Sequence, residues 1–157
     1  MRLGAIIASL LATILVAACA PAAPPPDVIA RGRYLVMIGG CNDCHTPGYG
    51  EKAGDVPEAE WLSGAGVGFR GPWGTTYPAN LRLLAQRLSE DEWVPYLRVP
   101  RRPPMPWFNT VKMSDEDLRA MYRFIHSLGP AGEAAPDYVA PDGQVTTPYI
   151  DFVPKTG

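Results

Sequence analysis

Two cysteines and a histidine form the most chemically specific pattern in the chain. Cys41 and Cys44 are separated by two residues, and His45 follows directly. Two thiols at this spacing can add to the two vinyl groups of one porphyrin, which places the next residue beneath the iron, where an imidazole can ligate it. The C-x-x-C-H pattern therefore predicts one covalently attached haem c, with His45 as an axial ligand.

Three other sites are compatible with part of this pattern. A thioredoxin-like redox pair needs a strand before the motif, whereas the residues before Cys41 favour a helix. A zinc site needs four ligands, and His126 is the only candidate left to join Cys41, Cys44 and His45. A simple disulfide leaves His45 without a role. Covalent haem is the interpretation that uses all three residues.

A second axial ligand is expected from Met105. It lies in the run Arg101-Arg102-Pro103-Pro104-Met105-Pro106-Trp107, where prolines restrict the backbone on both sides. That restriction lowers the entropy cost of holding a flexible thioether in one position. Met113 is the main competitor, and His126 is a weaker one. A His45/Met105 pair favours ferrous haem and leaves no open position on the iron for oxygen or peroxide chemistry.

The first residues predict export and a lipid anchor. An uncharged, mostly apolar run from Leu3 to Ala18 follows a positive charge, which is typical of a secretory signal and short for a bilayer span. The run ends Val16-Ala17-Ala18-Cys19, which resembles the lipobox of bacterial lipoproteins. That resemblance implies cleavage after residue 18 and a diacylglycerol on Cys19. An ordinary signal peptide with an incidental cysteine is the alternative.

The mature protein is therefore expected on the extracytoplasmic (periplasmic) side of a bacterial membrane. Residues 19–26 form its lipidated, proline-rich tether, which is stiff and extended. Export agrees with the haem motif, because haem is attached to thiols outside the cytoplasm. The 157 residues suit one domain, and a net charge of −2 argues against a nucleic-acid partner.

Three helices are expected to position the site. Leu35, Val36 and Ile38 give the first helix an apolar face, and Gly32 with Tyr34 suits a close crossing with another helix. The second and third helices begin at serine caps. The expected helices run from Asp27 to about Gly39, from Ser89 through a disruptive Pro95, and from Ser114 to Leu128.

The segment between His45 and Ser89 is predicted to be a long glycine-rich loop that wraps the haem. A carbonyl near Gly71-Pro72 is the expected partner of the His45 Nδ1–H. Trp73 or Arg70 is the expected partner of a propionate. The aromatic residues expected to form the wall, unless they are plain core packing, are Trp61, Phe69, Trp73 and Tyr77.

The order of the predicted features resembles class I c-type cytochromes. These features are the first helix with Gly32 and Tyr34, the motif from Cys41 to His45, the wrapping loop, Met105 and the last helix. More narrowly, the run from Gly71 to Leu81 (GPWGTTYPANL) and Pro104-Met105-Pro106-Trp107 are similar to segments of the haem domains in bacterial dehydrogenase cytochrome subunits. The resemblance covers residues 27–130 and implies a mainly α, cytochrome c-like fold with few helices and long loops around one haem. Those subunits usually carry several haem domains, whereas this chain has one C-x-x-C-H motif.

The resemblance implies a mono-haem protein that carries single electrons between extracytoplasmic redox proteins, and the expected lipid anchor on Cys19 would tether it to the membrane. The alternative is the electron-accepting cytochrome subunit of a periplasmic dehydrogenase, and a haem sensor or peroxidase comes third. No motif for a second cofactor or a small-molecule substrate is recognised, so the chain is not expected to be an enzyme. Residues 131–157 are expected to be a strap over the domain or, alternatively, a docking segment for a partner. Arg98, Arg101 and Arg102 form a basic cluster that is either solvated charge or a dock for an acidic partner.

Overall fold

A computed structural model describes residues 27–156 of the chain. The predictions for the signal peptide (1–18) and for Cys19 and its tether lie outside the described residues. No helix within 27–156 is long and apolar enough to cross a membrane. The elements in chain order are α1 (Val28–Ile38), α2 (Cys41–His45), a 3₁₀ turn (Glu58–Glu60), β1 (Gly68–Gly71), β2 (Gly74–Thr76), α3 (Leu81–Arg87), α4 (Glu90–Leu97), α5 (Trp107–Lys112), α6 (Asp115–Ser127) and β3 (Tyr149–Asp151).

Helix α1 begins and ends where the sequence predicted. The Asp27 carboxylate accepts hydrogen bonds from the backbone N–H groups of Ile29 and Ala30 and so caps the first turn. The helix ends at Gly39. Gly40 then adopts φ 66°, a left-handed conformation that favours glycine, and turns the chain directly into α2. The cysteine-histidine motif is therefore attached to α1 by a two-residue turn.

Helix α1 crosses α6 at Gly32, as predicted. A Cβ atom at Gly32 would lie 2.0 Å from the backbone oxygen of Ala120, so only glycine allows this approach. Leu35 and Val36 are buried in the same crossing. The prediction was wrong for Tyr34 and Ile38, which are 51% and 62% exposed. Helix α6 covers only a narrow stripe of α1, and these two side chains lie beside that stripe.

The two later helices also form as predicted. Ser89 and Glu92 make the reciprocal capping box of α4, and Pro95 lies near the end of that short helix. Ser114 caps α6, its hydroxyl oxygen accepting from the Asp117 N–H at 3.1 Å. The Asp117 carboxylate pairs with Arg31 of α1 instead of closing a second box.

The prediction of one long loop between His45 and Ser89 was wrong, because that segment contains a hairpin and a helix. Strands β1 and β2 pair antiparallel, and β3 joins β1 in parallel, which gives the sheet order β2-β1-β3. Helix α3 begins at Asn80, whose side-chain oxygen accepts from the Leu83 N–H at 3.0 Å. The sequence signal was present, since Leu81, Leu84 and Ala85 follow that cap at helical spacing.

One buried arginine joins α3 to the end of α6. Arg82 is 5% exposed and donates hydrogen bonds to the carbonyl oxygens of Gly129 (2.6 Å), Ala59 (2.5 Å) and Leu128. The guanidinium thus satisfies carbonyls that the last turn of α6 leaves free, and it places positive charge at the negative end of that helix. The helices around the site are held together at this end of the molecule.

Candidate haem site

A cavity of about 290 Å³ lies beside α2. All four residues expected to hold the haem line it: Cys41, Cys44, His45 and Met105. The cysteines and the histidine come from α2, whereas the methionine comes from the loop before α5. The tertiary structure therefore brings together side chains that are far apart in the chain.

His45 is held by its ring and by its backbone. Its Nδ1 atom lies 2.7 Å from the carbonyl oxygen of Ala79, and its own carbonyl oxygen accepts from the Gly64 N–H at 2.8 Å. Burial lowers the pKa of His45, which keeps the ring neutral. A neutral ring that donates from Nδ1 to Ala79 leaves the lone pair of Nε2 free to ligate a metal.

The partner of the His45 ring differs from the one predicted. The carbonyl belongs to Ala79, not to the Gly71-Pro72 pair, because β1 and β2 form a hairpin around that pair. The chain returns towards α2 only after β2, where Ala79 lines the cavity. The sequence contained no signal for this, since any backbone carbonyl can accept the bond.

The two cysteines are free thiols at the cavity wall. Burial raises the pKa of Cys41 to about 11, and burial also raises the pKa of Cys44. Both thiols are therefore protonated at neutral pH, in contrast to the low-pKa thiolate of redox-active C-x-x-C pairs. Helix α1, rather than a strand, precedes the motif, so the surroundings do not match a thioredoxin-like site.

A buried hydrogen-bond chain that was not predicted fixes the far end of α2. The Thr46 hydroxyl donates to the Asn42 side-chain oxygen at 2.8 Å and accepts from the Leu62 N–H at 2.8 Å. Asn42 and Thr46 are 1% and 2% exposed, so these bonds are shielded from water. These bonds attach helix α2, which carries the cysteines and His45, to the backbone at Leu62.

Three methionines line the cavity: Met105, Met113 and Met121. Met121 is part of the buried core, and Met113 packs against that core from the end of α5. Met105 is partly buried and, among residues 27–156, is the one of the three that stands apart from the core. Its side chain is therefore the most available to a ligand in the cavity.

His126 does not reach the site. It is exposed on α6, and its ring lies 5.4 Å from the ring of Tyr122. In the part of the chain that the structure describes, no group of three or more His, Cys, Asp or Glu side chains is arranged to hold a metal ion. His126, the fourth ligand that the zinc interpretation requires, therefore lies away from Cys41, Cys44 and His45.

The cavity suits a flat apolar macrocycle that carries two carboxylates. Leu84, Leu97 and Ile125 contribute apolar wall, and the buried Trp93 Nε1–H has no hydrogen-bond partner. A buried donor without an acceptor is costly, so it marks a place where an acceptor on a bound group fits. Arg101 and Arg102 also line the cavity and carry the charge that complements carboxylates. The residues present fit a haem.

Part of the predicted wall was wrong. Phe69 and Tyr77 line the cavity, whereas Trp61 is buried in the core against Phe124, at 6.4 Å between ring centroids. Trp73 packs beside Phe152 of the C-terminal segment. Arg70 lies over the Tyr149 ring at 5.4 Å, so neither predicted propionate partner lines the cavity. The β-hairpin carries Arg70 and Trp73 away from α2, whereas Trp61 lies before the hairpin and packs into the core.

Two curated proteins are similar to this chain. One is the gluconate 2-dehydrogenase cytochrome c subunit of Pantoea cypripedii, 34% identical over 139 residues, which cover 80% of this chain and 31% of the relative. The other is the cytochrome c subunit of the quinone-dependent alcohol dehydrogenase of Gluconobacter oxydans, 28% identical over 130 residues, which cover 70% of this chain and 24% of the relative.

The chain thus spans less than a third of the length of these relatives. No family model and no solved structure matches it. The mainly helical architecture and the names of both relatives agree with the resemblance found in the sequence, and they confirm a cytochrome c-like fold.

Proposed function

We propose that this chain is an electron-transfer cytochrome with one haem c, attached through Cys41 and Cys44 and ligated by His45 and Met105. The observation that carries the proposal is that these four side chains, from distant parts of the chain, line one cavity. A bound haem supplies one-electron redox chemistry. Held by both His45 and Met105, the iron would be unsuited to binding oxygen or peroxide.

The residues around the cavity have separate tasks in this proposal. The Ala79 carbonyl orients the His45 ring and strengthens its ligating nitrogen. Apolar walls exclude water and, together with a thioether ligand, favour the reduced state. Trp93 and Arg101 offer donors for carboxylates. The protein thereby tunes the potential and limits how much the surroundings rearrange when an electron moves.

The same proposal includes the export of the protein and its attachment to a membrane. Residues 1–18 are a signal peptide, Cys19 carries the lipid anchor, and residues 19–26 are the tether. Residues 27–130 form the cytochrome domain, and residues 131–157 form a C-terminal strap. The support is the lipobox-like sequence and the need to attach haem outside the cytoplasm.

The named relatives favour one form of this function, the electron-accepting cytochrome subunit of a periplasmic dehydrogenase. Both are cytochrome c subunits of dehydrogenases, one for gluconate and one for alcohol. Catalysis would then reside in another polypeptide, and this chain would receive the electrons. The partner enzyme and its substrate class are part of the proposal, since the chain covers only a fraction of each relative.

The first test is expression of the full chain together with the cytochrome c maturation machinery. We expect haem staining that survives denaturing electrophoresis, a low-spin reduced spectrum, and the weak far-red band of a methionine–iron bond in the oxidised protein. Covalent haem with a high-spin spectrum would favour sensing or peroxide chemistry instead. Absence of covalent haem would overturn the assignment of Cys41, Cys44 and His45.

A matched pair of variants identifies the methionine. Met105→Leu is expected to abolish the far-red band and to lower the reduction potential by on the order of 0.1 V, because axial ligands control the potential. Met113→Leu changes a methionine of the same cavity and is expected to leave both unchanged. The opposite result would transfer the ligand role to Met113.

The dehydrogenase role needs the native complex. The tagged full chain is isolated from its own membranes, and gluconate or ethanol is added while the haem spectrum is followed. Reduction that depends on one of these substrates and on a co-purified flavin- or quinone-containing subunit supports the accessory role. A protein that is isolated alone and is reduced by neither substrate favours a free electron carrier.

A further inference from the structure

The C-terminal segment lies beside the loop that carries Met105. Its Val139 forms a two-way backbone bridge with Thr75 of β2, with N–O distances of 2.7 and 3.0 Å. Further along, β3 pairs with β1. Residues 131–156, the described part of the strap, are therefore fixed to the β-hairpin at two points.

One aromatic ring on this strap contacts the loop directly. The Arg102 guanidinium carbon lies 4.0 Å from the centroid of the Tyr138 ring, a close cation–π contact. The Tyr138 hydroxyl donates to the Trp73 carbonyl oxygen at 2.8 Å. The ring also covers Gly74, where an added Cβ would lie 2.8 Å from ring atoms. Contacts with the hairpin thus fix the position of the Tyr138 ring, and Arg102 stacks on that fixed ring.

A second contact holds the neighbouring residue of the loop. The Thr76 hydroxyl donates to the carbonyl oxygen of Pro103 at 2.8 Å. Pro103 and Pro104 restrict the backbone between this contact and Met105, and Pro106 restricts it on the other side of Met105. A displacement of Arg102 or Pro103 is therefore transmitted to the methionine instead of being absorbed by a flexible chain.

We propose that Tyr138 is a positioning residue for Met105. By stacking on Arg102, it holds the loop in the position from which the thioether reaches the iron, although Tyr138 itself does not line the cavity. The inference rests on the proposed function, because it needs Met105 to be a ligand. It gives the strap a role in the redox site.

The strap provides its own control. Arg70 lies over Tyr149 at 5.4 Å, a second arginine–tyrosine contact at the other fixed point of the strap and away from the Met105 loop. Both tyrosines are partly exposed, at 40% and 46%. Replacing each with leucine removes a similar ring and a similar cation contact, but only one of the two changes touches the loop.

The experiment uses the full haem-bearing protein in its oxidised form, titrated with imidazole while the far-red band is followed. Added imidazole binds only when Met105 has left the iron, so its apparent affinity reports how often that happens. Tyr138→Leu is expected to tighten imidazole binding about fivefold. Tyr138→Phe, which keeps the ring but loses the bond to Trp73, is expected to have a smaller effect than Tyr138→Leu. Tyr149→Leu is expected to behave like the unaltered protein.

Arg102→Met tests the contact from its other side. It is expected to tighten imidazole binding at least fivefold, because Arg102 also lines the cavity. Combining it with Tyr138→Leu is expected to add nothing to the effect of Arg102→Met alone, because Tyr138→Leu removes a contact that Arg102→Met has already removed. If Tyr138→Leu does not fold, Arg102→Met still tests the same contact. Additive effects in the double variant would overturn the pairing.

Two further outcomes would overturn the inference in different ways. If Tyr138→Leu and Arg102→Met leave imidazole affinity unchanged while Met105→Leu abolishes the band, the ligand assignment stands and the positioning role fails. If the unaltered protein has no far-red band, His/Met ligation fails and the positioning role fails with it. An equal effect of Tyr149→Leu would reduce Tyr138 to general support of the strap.

Discussion

The two sides of the cavity are built in contrasting ways. On the His45 side, the proposed iron ligand lies in a helix, is 9% exposed, and is held by hydrogen bonds to its ring and backbone. On the Met105 side, the residue lies in a partly exposed loop that is held from outside by Tyr138 and Thr76. Rigidity is therefore local on the first side and depends on distant segments on the second.

The difference matters for an electron carrier. Under the proposed ligation, the strong constraint on His45 would keep this ligand in place, whereas Met105, on a loop, could leave without unfolding the chain. The lifetime of the proposed methionine ligation would then depend on contacts made by a segment outside the domain to which the family resemblance extends. Changes to the two sides should thus have separable effects on global stability and on ligation.

The largest expected effect comes from removing the haem that both sides are proposed to hold. The variant with Cys41→Ala and Cys44→Ala cannot form thioethers and leaves an apolar cavity of about 290 Å³ without its occupant. The apolar walls that the haem would cover are then exposed to water, and this loss is large compared with the small net stability of a domain. We expect loss of cooperative thermal unfolding by circular dichroism. A variant that retained the cooperativity of the haem-bearing protein would contradict the cavity's role in the core.

The next largest effect tests the scaffold of the His45 side. Gly32→Ala places a Cβ atom against the backbone of α6, at 2.0 Å from the Ala120 oxygen before relaxation. We expect a loss of about 3 kcal/mol in the free energy of unfolding, because neither backbone can yield easily.

Urea denaturation of the haem-bearing protein measures this loss. Gly50→Ala is the control, since a Cβ there meets nothing within 4 Å. If Gly32→Ala unfolded at the same urea concentration as Gly50→Ala, the close crossing of α1 and α6 would be disproved.

A smaller effect is expected on the Met105 side. Thr76→Val removes the hydroxyl that donates to Pro103 while keeping the side-chain shape. We expect about 1 kcal/mol or less in unfolding free energy, together with tighter binding of imidazole to the oxidised protein. Thr147→Val removes the 2.7 Å contact between Tyr77 and the strap, which does not involve the loop. Equal imidazole affinities for the two variants would argue against separate control of ligation.

The smallest effect concerns the contact between α4 and α6. Glu90 accepts hydrogen bonds from Arg123 (2.8 Å) and Arg119 (3.3 Å), and the bond from Arg123 is the main cause of the lowered pKa of Glu90. A lowered pKa stabilises the fold above the ordinary carboxyl value of 4.5, and this contribution is lost as the pH falls below that value.

Glu90→Gln should therefore lower the unfolding free energy by less than about 1 kcal/mol at pH 7. The difference from the unaltered protein should shrink below pH 4.5. Urea denaturation at several pH values measures it, and Glu116→Gln, an exposed change on α6, is the control. A difference that grew on acidification would contradict the assigned pairing.

The sequence by itself determined everything that depends on short spacing. Cys41, Cys44 and His45 are neighbours, so the pattern predicted their common site without knowledge of the fold. The helix caps at Asp27, Ser89 and Ser114 were equally local, and the structure has each of them. Helix α3 was also within reach, because Asn80 and the apolar residues after it form a local signal.

Only the tertiary structure decided the contacts between distant backbones and side chains. Ala79 binds the His45 ring through a carbonyl that every residue possesses, so no residue type marks it. The place of Trp73 depended on a short hairpin whose pairing joins β1 to β2 and to a strand near the end of the chain, and that of Trp61 on its packing against Phe124. The contact between Arg102 and Tyr138 likewise exists because the strap returns to that hairpin. Local signals specify elements and covalent spacing, whereas the partners of a backbone carbonyl or an exposed ring are specified by the whole fold.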